Sequence, residues 1–66
     1  MNSDEERELF ESYGWEYDQV ERGWRAPAIH YSTNFFLPAD ELVKMTETRA
    51  GENYVRALIA RYGQKP

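Results

Sequence analysis

The sequence predicts an α+β domain: an N-terminal helix, an antiparallel β-hairpin of two or three strands, then two C-terminal helices packed on one face of the sheet. A helix-capping signal comes first, strict alternation of aromatic and charged residues follows, and a helical apolar period returns after residue 38. A chain of 66 residues is short enough for one domain. We therefore assign residues 1–66 to a single domain and expect its ends, about 1–2 and 64–66, to fray.

The first predicted helix begins at a capping box formed by Ser3 and Glu6. An apolar stripe at helical spacing follows and consists of Leu9, Phe10 and Tyr13. Gly14 then supplies the left-handed residue at which helices often end. Because a helix this short is not stable alone, its stripe must dock against the rest of the chain.

The segment GWEYDQVERGWRAP, residues 14–27, alternates with a period of two and predicts a hairpin. A loop at residues 21–23 would turn Trp15 and Trp24 to opposite faces. A loop at residues 20–23 would pair Gln19 with Trp24 and place both tryptophans on one face with Tyr17 and Ala26. Both loop lengths are common. The second separates apolar from charged residues, so we predict it, with the tryptophans in the core and Gly23 at positive φ.

The remaining elements follow from proline, glycine and apolar spacing. Pro27 predicts an edge or a bulge, where a one-residue shift would turn Ile29 and Tyr31 inward, and STNFFLP adds a third strand or crosses over. Pro38 suits the first turn of a helix that TETRAG, residues 46–51, interrupts. A last helix is predicted from about Glu52 to Tyr62, before Gly63. Its apolar stripe consists of Tyr54, Val55, Leu58, Ile59 and Tyr62.

Composition restricts the possible chemistry. The chain has no cysteine and one histidine, which predicts no thiol chemistry, no disulfide and no conventional metal site. His30 stands near no recognisable nucleophile motif, so we interpret it as a strand histidine. Glu16 and Asp18 are interpreted as a solvated strand face. We predict no catalytic, cofactor-binding or metal-binding residue and no enzyme activity. With no apolar run that spans a bilayer, a soluble cytoplasmic protein is expected.

The predicted partner-binding residues are Arg25, Tyr31, Phe35 and Phe36. Adjacent phenylalanines in an extended segment point to opposite sides, so only one of the two rings can face the core. The other, with Tyr31 and Arg25, would form the mixture of aromatic and arginine side chains enriched at protein interfaces. The alternative is an irregular segment in which both rings are buried.

These observations predict a small non-enzymatic binding or regulatory module that acts through contact with a protein. A homodimer would be one form of that contact. The net charge of −4 and the interleaved acidic residues of the hairpin argue against a nucleic-acid or membrane partner. The alternative function is nucleic-acid binding by the basic C-terminal helix. Against it stand Glu52 and an interruption longer than the turn of a helix-turn-helix motif.

Overall fold

The computed structural model describes residues 2–27 and 35–64, which form three helices and three strands. In chain order these are α1 (Ser3–Ser12), β1 (Glu16–Asp18), β2 (Gly23–Arg25), β3 (Phe36–Pro38), α2 (Ala39–Met45) and α3 (Arg49–Tyr62). The predicted α+β class and order of elements are confirmed, and the third strand is present. The strands form one antiparallel sheet in the order β1-β2-β3.

The cap of α1 lies one residue before the predicted one. The Asn2 side-chain oxygen accepts a hydrogen bond from the backbone N–H of Glu5 at 2.9 Å, and Ser3 is already helical. The capping box at Ser3 and Glu6 is therefore wrong, because the equally suitable Asn2 precedes it. The end of the helix is as predicted: Gly14 takes a φ of +82°.

The hairpin places its tryptophans on the predicted face through a different pairing. Tyr17 lies opposite Trp24, so the loop comprises residues 19–22 and the predicted pairing of Gln19 with Trp24 is wrong. The observed loop has the predicted length and starts one residue earlier, so alternation along each strand keeps the same residues on the same face. Arg22, with a φ of +58°, takes the left-handed conformation predicted for Gly23.

The tryptophans belong to the core. Trp15 is 2% exposed and Trp24 is 3% exposed. The Phe10 ring stacks on Trp24 with centroids 4.5 Å apart and meets Trp15 edge to face at 5.1 Å. The Trp15 indole N–H donates to the carbonyl oxygen of Ile59 at 3.0 Å, which ties the hairpin to α3. The buried side chains are Phe10, Trp15, Trp24, Ala26, Leu37, Leu42, Val55 and Ile59.

One carboxyl group lies at the edge of this core. Glu6 is half-buried on α1, and burial raises the pKa of its carboxyl group above the ordinary value of 4.5. A hydrogen bond from the Trp24 side chain acts in the opposite direction, because it stabilises the charged form. Burial has the larger effect, so ionisation of Glu6 opposes folding.

The last helix begins earlier than predicted. Thr48 caps α3, with its hydroxyl oxygen accepting from the Gly51 N–H at 3.0 Å, so only residues 46–48 separate α2 from α3. A Cβ on Gly51 would lie 1.6 Å from the carbonyl oxygen of Met45. Gly51 therefore does not interrupt a helix, as the sequence suggested, but allows the end of α2 to approach α3 closely.

The apolar stripe of α3 is narrower than predicted. Val55 and Ile59 are fully buried, Leu58 and Tyr62 are half-buried, and Tyr54 is 57% exposed. Tyr54 precedes Val55 by about 100° around the helix, which carries its ring out of the interface.

The residues that follow α3 contact the end of α1. The backbone N–H of Gln64 donates to the carbonyl oxygen of Tyr13 at 2.7 Å, just beyond the predicted end of α3 at Gly63. Fraying of the termini remains a prediction.

Candidate partner-binding surface

The sheet has one face turned away from the core. Strand pairing aligns Glu16, Arg25 and Phe36 in one row across the three strands, and Asp18, Gly23 and Pro38 in the next. We call these six residues the outer face. The intervening row contains Trp24 and Leu37, which pack with Leu42 of α2 in the core cluster on the opposite face. No described helix therefore packs on the outer face.

Arg25 connects the two rows of the outer face. Its guanidinium carbon lies 5.2 Å from the centroid of the Phe36 ring, in a cation–π contact. Its Nη2 atom donates to Oδ2 of Asp18 at 2.9 Å. The Arg25 side chain stays 43% exposed, so these contacts fix its position and leave it accessible.

The Phe36 ring is seated directly on Gly23. A Cβ at Gly23 would lie 2.5 Å from Cζ of Phe36 and 2.4 Å from the carbonyl oxygen of Leu37. This position therefore requires glycine because of its neighbours across the strand, which corrects the prediction that Gly23 provides the positive φ of the turn. Phe36 stays half-buried and forms the apolar part of the outer face.

Asp18 links the outer face to the loop of the hairpin. Its Oδ1 atom accepts from the backbone N–H groups of Val20 at 2.9 Å and Glu21 at 3.0 Å. The hydrogen bond from Glu21, followed by that from Arg25, holds the pKa of the Asp18 carboxyl below its ordinary value of 3.8. These interactions stabilise the fold above that value and are lost as the pH falls through the lowered pKa.

The structure brings two of the four predicted partner-binding residues together. Arg25 and Phe36 meet on the outer face. Phe35 points to the other side, where it stacks on Tyr62 with centroids 4.4 Å apart and meets Trp15 edge to face at 6.0 Å. The alternative of an irregular segment that buries both rings is not what is observed, because Phe36 lies in β3 and both phenylalanines are half-buried. Tyr31, like Ile29 and His30, lies outside the described residues.

The loop predicted at residues 20–23 lies at residues 19–22, which we call the tip, and the sequence interpretation did not consider it as a candidate surface. Val20 is 90% exposed there, compared with 64% for Val43 and 57% for Tyr54. A signal was available: Asp at the start of a loop commonly binds the backbone N–H two residues later. Asp18 gives that signal and would have placed the loop correctly.

A metal-binding cluster and a membrane-spanning helix are both absent from residues 2–27 and 35–64. Within these ranges no three His, Asp or Glu side chains come together in a way that could hold a metal ion. Nor does any helix there have the length and apolar character needed to cross a bilayer. A shallow depression beside the outer face is lined by Gly14, Glu16, Arg25, Ala26 and Pro27.

Comparison of the chain with protein-family models, with curated proteins and with solved structures gave no match. Functional inference therefore depends on the geometry and charge of the surfaces described above.

Proposed function

We propose that this chain is a small non-enzymatic module that acts in the cytoplasm by binding a protein, and that the outer face is the centre of its contact surface. The observation that carries this proposal is the exposed Arg25 guanidinium over the half-buried Phe36 ring, on a sheet face without a described helix. Arginine and aromatic side chains are enriched at the energetic centres of interfaces.

The outer face is organised before any partner arrives. Arg25 is held by Asp18, and Phe36 rests on Gly23. Side chains that are already ordered lose less conformational entropy on binding, so more of the contact energy appears as affinity. This supports a contact surface more than a solvated face of independently moving side chains.

The charge of the outer face indicates what a partner must supply. Asp18 compensates Arg25, whereas the side chain of Glu16 forms no ion pair or hydrogen bond with the described residues. A matching surface would place an apolar side chain against Phe36 and a lysine or arginine opposite Glu16.

The outer face alone is too small for a stable protein interface. Three strands of three residues span roughly 10 Å by 10 Å, or on the order of 100 Å². Stable interfaces bury about 800 Å² on each partner. A partner centred here must therefore also contact the neighbouring tip or the depression beside Arg25.

A second copy of the chain would meet an obstacle at the edge of β1. Pairing two β1 strands antiparallel about Tyr17 would put Glu16 of one copy directly opposite Asp18 of the other. Like charges at opposed positions destabilise a sheet. A homodimer built on the outer face remains a proposal, which the molar mass across a dilution series would test by light scattering.

The alternative is nucleic-acid binding by α3. Arg49, Arg56 and Arg61 are exposed on this helix, and its three-residue connection to α2 falls within the range of helix-turn-helix turns. The length of the interruption is thus no longer an argument against it. However, Arg56 shares a groove with Glu5 and Glu8 of α1, whose charges oppose a phosphate backbone. We therefore prefer the protein contact.

The experiment compares two matched pairs of substitutions. Arg25→Ala with Phe36→Ala removes the arginine and aromatic of the outer face. Arg61→Ala with Tyr54→Ala removes an exposed arginine and aromatic from α3. Proteins captured by each tagged variant from the source organism would be quantified by mass spectrometry, with circular dichroism to confirm folding.

We expect the outer-face pair to lose a partner that the α3 pair retains. Loss only in the α3 pair, together with DNA or RNA binding that falls steeply with salt, would instead support the alternative.

A further inference from the structure

The strand β1 forms one edge of the sheet, because the described strands follow the order β1-β2-β3. The direction of its backbone groups follows from the hydrogen bonds on the other side of β2. The N–H of Ala26 donates to the carbonyl oxygen of Phe35, and the carbonyl oxygen of Arg22 accepts from the N–H of Ala39, both at 2.9 Å. Successive residues of an antiparallel strand turn these groups to opposite sides. Even-numbered residues of β2 therefore direct their backbone groups at β3, and odd-numbered residues direct theirs at β1.

The same alternation determines which backbone groups of β1 point away from the sheet. Glu16 and Asp18 lie opposite odd-numbered residues of β2, so their N–H and C=O groups point to β2. Tyr17 lies between them and directs its N–H and C=O outward. Because the N–H and C=O of one trans peptide unit point in opposite directions, the carbonyl oxygen of Trp15 and the N–H of Gln19 also point outward. The edge thus presents, in order, an acceptor, a donor, an acceptor and a donor.

These four groups are unoccupied within the described part of the chain. None of them forms a hydrogen bond with residues 2–27 or 35–64. The opposite edge of the sheet differs, because its outward residues are Phe36 and Pro38, and proline has no N–H to donate. Of the two edges, that of β1 therefore offers the more complete set of donors and acceptors to a further strand.

The side chains beside this edge restrict what can pair with it. Tyr17 is 41% exposed, and its ring meets Trp24 edge to face at 5.3 Å on the core side of the sheet. On the outer face, Asp18 is bonded to Arg25, whereas the side chain of Glu16 has no partner among the described residues. The negative charge that remains is therefore at Glu16. Like charges at opposed positions destabilise a sheet, so an acidic residue opposite Glu16 is disfavoured.

We propose that an extended segment of the protein partner adds to the sheet as an antiparallel strand beside β1, with an apolar residue opposite Tyr17 and a lysine or arginine opposite Glu16. This inference rests on the proposed function, since it specifies how the same partner is held. Backbone groups at strand spacing are matched in register by another strand, and the side chains then select its sequence. The added strand would also extend the outer face, whose own area is too small for a stable interface.

The first test uses two short synthetic peptides as probes, one alternating lysine with valine and the other alternating glutamate with valine. Binding to the isotope-labelled full chain is followed by NMR. We expect the lysine peptide to shift the amide signals of Tyr17 and Gln19 more than those of Glu16 and Asp18, because only the first two N–H groups point at the added strand. The glutamate peptide should not shift them. Failure of the lysine peptide to bind at millimolar concentration, or shifts concentrated on the acidic helix α1, would overturn the inference.

The second test removes one backbone donor and leaves every side chain in place. The full chain would be chemically synthesised with an N-methyl group on Tyr17 or, as a control, on Ser3 in the first turn of α1. Neither N–H is needed by the fold, because one points outward and the other belongs to a first turn, whose N–H groups have no intrahelical partner. Both variants should therefore fold, as measured by circular dichroism. N-methylation of Tyr17 should weaken binding of the lysine peptide at least about tenfold relative to the control, and equal affinities would overturn the inference.

A pair of side-chain substitutions tests the charge requirement independently of the synthetic variants. Glu16→Gln and Glu47→Gln each remove one exposed carboxylate, the second at a position between α2 and α3. Only Glu16→Gln should weaken binding of the lysine peptide. The same loss of affinity in both variants would show that the peptide responds to net charge alone and would overturn the inference.

Capture from the source organism separates this inference from the proposed function. Immobilised chain that is N-methylated on Tyr17 should capture less of the partner than chain N-methylated on Ser3. Equal capture by these two, with loss of the partner from the Arg25→Ala and Phe36→Ala pair, would overturn the inference and leave the proposed function standing. A protein lost from the Tyr17 variant but retained by the outer-face pair would support the edge as a contact and overturn the outer face as its centre.

Discussion

Replacing Gly23 with alanine tests the contact that forms the outer face. The added Cβ would lie 2.4 Å from the carbonyl oxygen of Leu37 and 2.5 Å from Cζ of Phe36. Cβ contacts below 3.0 Å are essentially never observed, so β3 must move by more than half an ångström or the Phe36 ring must move away from residue 23. Overpacking of this kind costs about 1–3 kcal/mol.

The measurement is thermal unfolding followed by circular dichroism. For a domain of this size, each kcal/mol shifts the midpoint by about 4–8 °C, so Gly23→Ala should lower it by roughly 4–24 °C. Arg22→Gly is the companion variant. A non-glycine residue in the left-handed region costs about 1–2 kcal/mol, which the substitution removes. Glycine also raises the conformational entropy of the unfolded chain, which destabilises the folded state by about 0.4–1 kcal/mol. We expect a net gain in stability of up to about 1.6 kcal/mol.

The sign of the change at Arg22 makes this pair decisive. If Gly23 held the positive φ, as its sequence position suggests, Arg22 would lie in an ordinary conformation and its replacement by glycine would destabilise the domain. Two results together would refute the assigned loop and the contact of Phe36 with Gly23: a lower unfolding midpoint for Arg22→Gly, and a stability of Gly23→Ala within about 0.5 kcal/mol of wild type.

Three further substitutions test the core, the helix pair and the half-buried carboxyl group. Trp15→Phe leaves the buried carbonyl oxygen of Ile59 without its donor and should cost about 1–3 kcal/mol in urea unfolding. In Gly51→Ala the added Cβ would lie 1.6 Å from the carbonyl oxygen of Met45. This overpacking should lower the free energy of unfolding by at least about 1–3 kcal/mol in the same assay. Glu6→Gln removes a carboxyl group whose pKa is raised in the folded state. In wild type, the contribution of this group to stability is fully present below pH 4.5 and is lost as the pH rises through the folded pKa. Urea titrations from pH 4 to pH 7 should therefore show the variant gaining stability relative to wild type; a constant difference would contradict the assigned burial.

The sequence predicts which face of each strand is buried because alternation encodes that property locally. It does so even where the pairing is wrong: moving the hairpin loop by one residue leaves Trp15 and Trp24 on the same face. The same reasoning separates Phe35 from Phe36, which the structure places on opposite sides of the sheet.

The local pattern does not reveal what a glycine is for. Gly23 and Gly51 look like turn and interruption signals, yet each is required by a neighbour in space: Phe36, which is distant in sequence from Gly23, and Met45, which lies across a turn from Gly51. Such close approaches depend on tertiary packing, which a single sequence does not display. The tip was not recognised as a candidate surface for a related reason, because the predicted loop contains Val20 but does not show how exposed its side chain is.

An NMR titration of the isotope-labelled chain with its captured partner would test the central claim most directly. If the outer face and tip form the contact, backbone amide shifts will change along β1, the tip, β2 and β3. The exposed side of α3, including Arg49 and Ala60, will remain unchanged. Changes concentrated on α3, with the sheet unaffected, would contradict the claim and support the basic helix as the binding surface.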